Sequence, residues 1–532
     1  MKTIFKFISY LLTAAFVVAI PALAATGPKV GIKCTKAGQI IFQKNVKFIC
    51  SKSGKNLIWK SQPIATPAPS SSPSSPLANT PSPSSSPSQQ INSRPSAGSA
   101  CENIGARIPA GFETFLECRM VVGGKLKFFN IQNGAIPPTN VTPLGDIKDC
   151  QVPDQTKRDP GATPIGYKTN RYQNPSYPTE GQFKIVILPI DFNDVPGAPL
   201  NISILDRYVK IIEKWFDYES NGKLKVEVTY VDKWLRAPKP SQKYNWNHPG
   251  TQNPTNLTND EIGQDFVNIS DSYVNYRNVG ALFIMHPDRI RTIEYGMTAN
   301  AMMQTAEGAI SPFISANGYE DDRQDGALWA YWIHEFMHHV GITGHAPDEL
   351  WALDLMNLQS GFGLSTSTWN QLLLDWLPPN QIYCRKIENL KSEVVTLTSI
   401  DSLQVGIKSA MIAMSSHEVL VIESRRKDFW TTSVNTMVNK EVYDGFYGVT
   451  IYIVDTTRVN SDIETDRNAP DYDSSKYKFA WNLKVSKDHL SEFKGVSGLE
   501  YIMLEGEKLM FRNVQISFLE SGNFDTIKVE KI

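Results

Sequence analysis

The stretch Ala327-Leu328-Trp329-Ala330-Tyr331-Trp332-Ile333-His334-Glu335-Phe336-Met337-His338-His339-Val340-Gly341-Ile342-Thr343-Gly344-His345 decides how this chain is read. Ala327 to Val340 contains neither Gly nor Pro, and Leu328, Tyr331, Trp332 and Phe336 recur at helical spacing, so a core helix is expected there. Gly341 follows directly and can take the left-handed conformation that ends a helix. His334 and His338 are four residues apart, which puts both imidazoles on one helical face, aimed at one ion. Glu335 lies beside the first of them, where its carboxylate reaches a water on the same ion. Zinc lowers the pKa of such a water; Glu335 removes the proton and passes it to a leaving amine. The competing reading is a core helix whose histidines are satisfied by ordinary hydrogen bonds. His339 faces away from the pair and is expected to be structural or solvent-exposed.

A third ligand has to come from just downstream. His345 is the nearest candidate and a neutral imidazole suits zinc; Asp348 is the alternative, with Glu349 close behind, since carboxylates also ligate zinc. An oxyanion needs a further donor; Tyr383, His417 and Arg425 are candidates that no spacing argument separates.

Outward from this motif, Phe183–Phe192 is a continuous apolar run, read as a buried strand. Residues 203–218 have the three- and four-residue spacing of an amphipathic helix. Lys223–Tyr230 alternates as a half-buried strand does, and Val279–Met285 reads as another buried strand. Residues 160–390 are therefore expected to form an α/β or α+β metal-dependent hydrolase domain. After residue 390 come short strands with turns, Val394–Leu397, Glu418–Ile422, Gly448–Val454 and Met510–Phe518, so 391–532 is read as an all-β, sandwich-like domain.

The N-terminal side is modular. Lys2 and Lys6, an uncharged apolar stretch from Phe7 to Ile20, and Ala22-Leu23-Ala24 form a signal peptide over 1–24. The mature chain is then secreted or extracellular, and it holds no further run long enough for a spanning helix. Residues 25–62 carry eight lysines and no Asp or Glu; Cys34 and Cys50 are expected to close a hairpin built on Ile40–Phe42 and Val46–Phe48. Residues 63–100 are a Pro/Ser-rich linker. Cys101 and Cys118 mark a second module over 101–150, whose flanks resemble those of the first as an internal repeat. The lysines of the first module are either a surface for an anionic wall polymer or lipid headgroups, with the protein then held at the cell surface, or an ordinary solvated face. Cys150 and Cys384 remain, read as a long-range disulfide rather than as a thiol holding zinc in a latent form.

The whole chain of 532 residues has 53 Lys+Arg against 54 Asp+Glu. A balanced charge argues against a nucleic-acid partner, and a mean hydropathy of −0.27 excludes a polytopic membrane protein. Glu320-Asp321-Asp322 with Asp325, and the cluster Asp462, Glu464, Asp466, Asp471 and Asp473, are candidate Ca2+ loops that lack a coordination signature and read equally as solvated acidic loops.

Taken together, the region 180–460 resembles the secreted zinc metallopeptidases of the immune inhibitor A type, within the metzincin-like zincins. The resemblance rests on His334–His345 and on several further segments. Ile185–Asp191 with Phe192-Asn193-Asp194 is similar to the family's opening strand, and Phe216–Leu224 to its helix-to-strand corner. Leu353–Asn357 resembles the turn below the zinc, with Met356 as its floor. Ser367-Thr368-Trp369 and Leu374–Leu377 resemble the following helix, and Val421–Arg426 and Gly448–Asp455 the paired β-domain strands. It implies an endopeptidase acting on protein or peptide substrates with Zn2+ on His334, His338 and a third ligand. The chain departs from the family at two places. The position three beyond Gly341 is Gly344, so His345 stands one step late, and Asp375 stands where Gly is frequent. Residues 25–150 are then attachment or targeting modules that maturation can remove. The alternative is a catalytically weak or inactive zincin-fold surface protein that binds cell wall or glycan; the intact Glu335 speaks against it.

Overall fold

The computed structural model describes residues 33, 40–43, 46–53, 56–63, 95–103, 105–111, 113–122, 125–139, 142–155, 165–167, 178–245, 256–287, 290, 293, 296–317, 328–342, 345, 347, 354–357, 365–402, 404–426, 447–458, 478–485 and 499–532. The expected signal peptide over 1–24, Cys34, most of the expected linker, Asp348, Glu349 and both acidic clusters lie outside them. The chain forms two compact units, Met1–Ile91 and Asn92–Ile532. It is mixed α/β, with many strands in several sheets and few helices. No helix among the described residues is long and apolar enough to cross a membrane.

In the first unit, strands Ile40–Gln43, Val46–Ser53 and Asn56–Pro63 form an antiparallel sheet in that order. Cys50 stands opposite Trp59, and Lys33 bridges Ile58. The second unit begins with the same meander, Arg107–Gly111, Thr114–Val121 and Lys125–Gln132. Here Cys118 stands opposite Phe128, and Ala100 bridges Lys127. In both copies the residue before the first cysteine pairs with the residue before the aromatic, so the internal repeat is written in the registers. Cys101 and Cys118 are disulfide-bonded.

The centre of the second unit is a six-stranded sheet: five strands run in the order Gly296–Ala299, Phe313–Asn317, Val279–His286, Gly181–Asp191, Leu224–Tyr230, and the short Leu235–Arg236 pairs the end of Gly181–Asp191. All neighbours are parallel except the edge strand Gly296–Ala299, which runs antiparallel to Phe313–Asn317. Because side chains alternate across a strand, the run from Phe183 supplies both faces. Phe183, Ile185 and Ile187 meet helices α1 (Ile202–Glu219) and α3 (Leu328–Val340) on one side. Val186, Leu188 and Ile190 meet α2 (Asn259–Ser270) on the other.

Ten of the thirteen residues of α3 are buried. Trp332 stacks on Phe283 with ring centroids 5.4 Å apart, and Phe336 meets Phe183 at 5.2 Å. At about 1.5–3 kcal/mol for each large apolar side chain taken from water, this packing fixes the helix that bears the histidines.

Downstream, two sheets share one core. The first runs Ile382–Lys386, Ser409–Ala413, Glu418–Arg426, Tyr447–Asp455, Ala480–Asn482; the second runs Ser392–Leu397, Asp525–Lys531, Val514–Ser521, Lys508–Phe511. Leu420, Ile422 and Ile451 of the first pack against Val395, Ile516 and Ile527 of the second. Ile382–Lys386, inside the segment 160–390 by sequence, thus belongs to the first of these sheets. Its outer face, with Met411, Val421 and Tyr452, packs on Trp369 and Leu372 of α4 (Thr368–Leu373). The expected single strand Met510–Phe518 is two strands: Arg512 has φ +51° and turns the chain between Phe511 and Val514. Cys150 and Cys384 are disulfide-bonded, so neither is a thiol available to a metal.

Candidate metal centre

Helix α3 ends where expected. The amides of Gly341 and Ile342 both donate to the Met337 carbonyl, at 3.1 and 3.0 Å. Gly341 takes φ +132°, a positive value that disfavours any side chain, although not the left-handed helical value expected. The chain then turns back, and His345 reaches the face that His334 and His338 share.

Three ring nitrogens converge. Nε2 of His334 lies 3.0 Å from Nε2 of His345 and 3.3 Å from Nε2 of His338. The other nitrogens of the helical pair face carbonyl oxygens. Nδ1 of His334 is 2.8 Å from the oxygen of Leu355, and Nδ1 of His338 is 3.0 Å from that of Ile342. A carbonyl oxygen only accepts, so each Nδ1 carries the hydrogen and donates. In the neutral rings each Nε2 therefore presents a lone pair, and the two lone pairs face one another.

Protonation does not resolve this arrangement easily. Burial, and then the neighbouring His338 and His345 rings, hold His334 well below the ordinary imidazole range. A shared cation resolves it. Three nitrogens on one tetrahedral zinc at 2.0–2.1 Å stand about 3.3 Å apart, close to the 3.3 and 3.0 Å that separate His334 Nε2 from those of His338 and His345. Among the described residues His334, His338 and His345 are the only group of His, Cys, Asp or Glu placed to hold a metal. The donor set of three imidazoles suits zinc, whereas calcium takes oxygen ligands and finds no support.

The other sequence candidates among the described residues do not join the three-nitrogen cluster. Glu335 follows His334 on α3 and is partly exposed. His339 is neither a ligand nor free in solvent: its Nε2 meets the hydroxyl of Thr298 on the edge strand, and burial lowers its pKa to about 4. Met356 is buried in the core that contains Phe336 and Met337. Tyr383 donates to Glu393 in the β region. The backbone amide of His417 donates to the Ser415 hydroxyl. Arg425 is buried and held by Glu423 at 2.8 Å.

Sequence reasoning missed the backbone groups that hold the rings. The carbonyls of Leu355 and Ile342 orient His334 and His338, and such groups have no side-chain signature. The turn that presents Leu355 does have one. Asp354 accepts from the amide of Met356, two residues on, as an Asx turn does. Asn357 donates to the Pro347 carbonyl, tying this turn to the loop that carries His345.

No known family's sequence profile matches the chain, and no curated protein does. Among solved structures it is similar to an archaemetzincin from Methanopyrus kandleri, at 15% identity, over 39% of this chain and 90% of that one, with a TM-score of 0.18. A superposition that loose supports no argument for this chain, and the functional reading stands on the geometry of the site itself.

Proposed function

We infer that the protein is an exported zinc-dependent endopeptidase in which His334, His338 and His345 hold the metal and Glu335 is the general base. The observation that supports this most directly is the pair of Nε2 lone pairs on His334 and His338, fixed by the carbonyls beneath them, with a third imidazole 3.0 Å from one of them. A zinc ion held by three imidazoles supplies the Lewis acidity that acidifies water and polarises a carbonyl. Glu335 then takes the proton from the attacking water and delivers it to the departing amine. No side chain serves as nucleophile, so no covalent intermediate forms. Two disulfides among the described residues suit an exported chain, as does the sequence over 1–24.

Cleavage of unfolded casein by the wild-type chain and by Glu335→Ala, with zinc quantified in both, tests the reading. Cleavage lost in the variant with zinc retained is the expected result. Zinc retained without cleavage in either would favour a binding role for the same fold. Absence of zinc from both would overturn the assignment of the metal centre.

A further inference from the structure

One peptide group lies under His334, and both of its ends are engaged. Its carbonyl, that of Leu355, accepts from His334 Nδ1 at 2.8 Å. Its N–H, that of Met356, donates to Asp354 Oδ1 at 2.8 Å. Hydrogen bonds in a chain polarise one another, the more so in a buried place. A carboxylate drawing on the N–H makes the carbonyl oxygen a better acceptor, which in turn makes the opposite ring nitrogen a better donor to a metal. The logic is that of a carboxylate behind a ligand histidine, with an amide interposed.

Asp354 is itself held from the start of α4 and faced by a charge of the β region. Its Oδ2 accepts from the amide of Ser367 at 2.9 Å, just before α4. Arg425, on the strand Glu418–Arg426, brings Nη2 to 3.9 Å from the same oxygen and Nη1 to 3.8 Å from Asp401. Its closest partner is Glu423, whose second oxygen accepts from the amide and hydroxyl of Thr368 at 2.9 and 2.8 Å. Asp354, Glu423 and Arg425 are all buried. Two carboxylates thus hold consecutive amides at the start of α4, with one guanidinium among them.

We propose that Asp354 and Arg425 are positioning residues of the metal centre: the carboxylate of Asp354, held by the Ser367 amide and faced by the β-region guanidinium at 3.9 Å, orients and polarises the Leu355–Met356 amide that fixes His334. This inference rests on the zinc centre proposed above. It makes the downstream β region part of the centre rather than an appended module. Neither residue touches a reacting atom; each acts through the amide and the ring.

The test is zinc affinity of the full chain, measured by competition with a chromophoric chelator. Wild type is compared with Asp354→Asn, Arg425→Met and Arg425→Lys, each checked for folding by its melting curve. Asp354→Asn is expected to weaken zinc binding by about 10- to 100-fold and to shift the visible bands of the cobalt-substituted protein. Arg425→Met weakens binding in the same direction, and Arg425→Lys, which keeps the charge, recovers part of the loss. If Arg425→Met fails to fold, Asp354→Asn and Arg425→Lys decide. Folded variants with wild-type zinc affinity and an unchanged cobalt spectrum, altered only in melting temperature, would overturn the relay and leave the zinc centre standing. A wild-type chain that binds no zinc would instead remove the centre and the relay together.

Discussion

His334 and His345 bring their Nε2 atoms to 3.0 Å across eleven residues and a helix end. The chain reverses at Gly341, whose φ of +132° disfavours other residues, and the His345 loop is tied to the Asp354 turn through Asn357 and Pro347. A metal shared by these rings contributes to folding stability by mass action, about 4 kcal/mol at a free concentration a thousandfold above its dissociation constant. Chelation is therefore expected to lower the melting temperature of the second unit, with zinc or cobalt restoring it. His345→Ala should abolish most of that metal-dependent increment. A melting curve indifferent to chelator would count against the centre.

Asp375 occupies a position at which the backbone calls for glycine. Its φ is +57°, in the left-handed region, which costs a residue with a Cβ about 1 kcal/mol. Its side chain offsets this by accepting from the Tyr167 hydroxyl at 2.8 Å, and its carbonyl accepts from Lys223. Asp375→Ala should lose the hydrogen bond and keep the strain, destabilising by about 1–2 kcal/mol. Asp375→Gly loses the bond but relieves the strain, and should fall within about 0.5 kcal/mol of wild type. Urea unfolding of the two variants checks the ordering; equal stability of Ala and Gly would show that the backbone conformation carries no cost.

How far the sequence led can be seen at particular residues. The helix over 328–340 was legible because a run without Gly or Pro, apolar on nearly every side, has one compact solution: burial against a sheet. His345 was legible as a donor type at short range, and the structure brings it to the cluster. Helix α2 was passed over although Thr258 and Glu261 form a capping box, a signal present in the letters themselves. The turn at Arg512 was hidden inside a stretch of mixed apolar and polar residues read as one strand, because positive φ at an arginine has no strong residue signature. The Leu355 carbonyl and the Arg425 contacts were out of reach for a different reason. The first is backbone, and the second joins residues 71 positions apart (425 − 354) that only the tertiary fold brings together.

Glu219 gives the protein a pH dependence of its own. It is fully buried at the end of α1, where its Oε2 accepts from the amide and hydroxyl of Thr366 and from Gln371. Burial outweighs these bonds and raises its pKa from 4.5 to about 8. The folded state therefore binds this proton more tightly than the unfolded chain does. Stability from this group is fully present below pH 4.5 and is lost as pH rises toward 8, by an upper limit of about 5 kcal/mol at 1.36 kcal/mol per unit. Glu219→Gln keeps a neutral side chain at every pH, so it should be more stable than wild type at pH 8–9 and flatten the decline between pH 5 and 8. Parallel stability–pH curves for the two proteins would refute this account.

The second Cys module is bound to the rest of its unit in two ways. Arg119 donates to the carbonyl of Gly522 at 2.8 Å, Lys127 pairs with Glu505 at 2.8 Å, and Gln132 and Asn523 exchange two hydrogen bonds. Beyond these contacts, the Cys150–Cys384 disulfide joins the segment following the module to the strand Ile382–Lys386. A protease cutting after Lys157 or Arg158 would therefore not free the N-terminal modules. After such a nick, a denaturing gel should show one band without reductant and two with it. In native buffer the nicked, reduced protein should still elute as one species if the polar contacts suffice at ordinary salt, and should separate at high salt if ion pairs such as Lys127–Glu505 carry the association. Release of the N-terminal fragment from unreduced, denatured protein would show that the disulfide does not form. Activity that appears on nicking alone, with the fragment still attached, would place any latency in the continuity of the chain rather than in the presence of the modules.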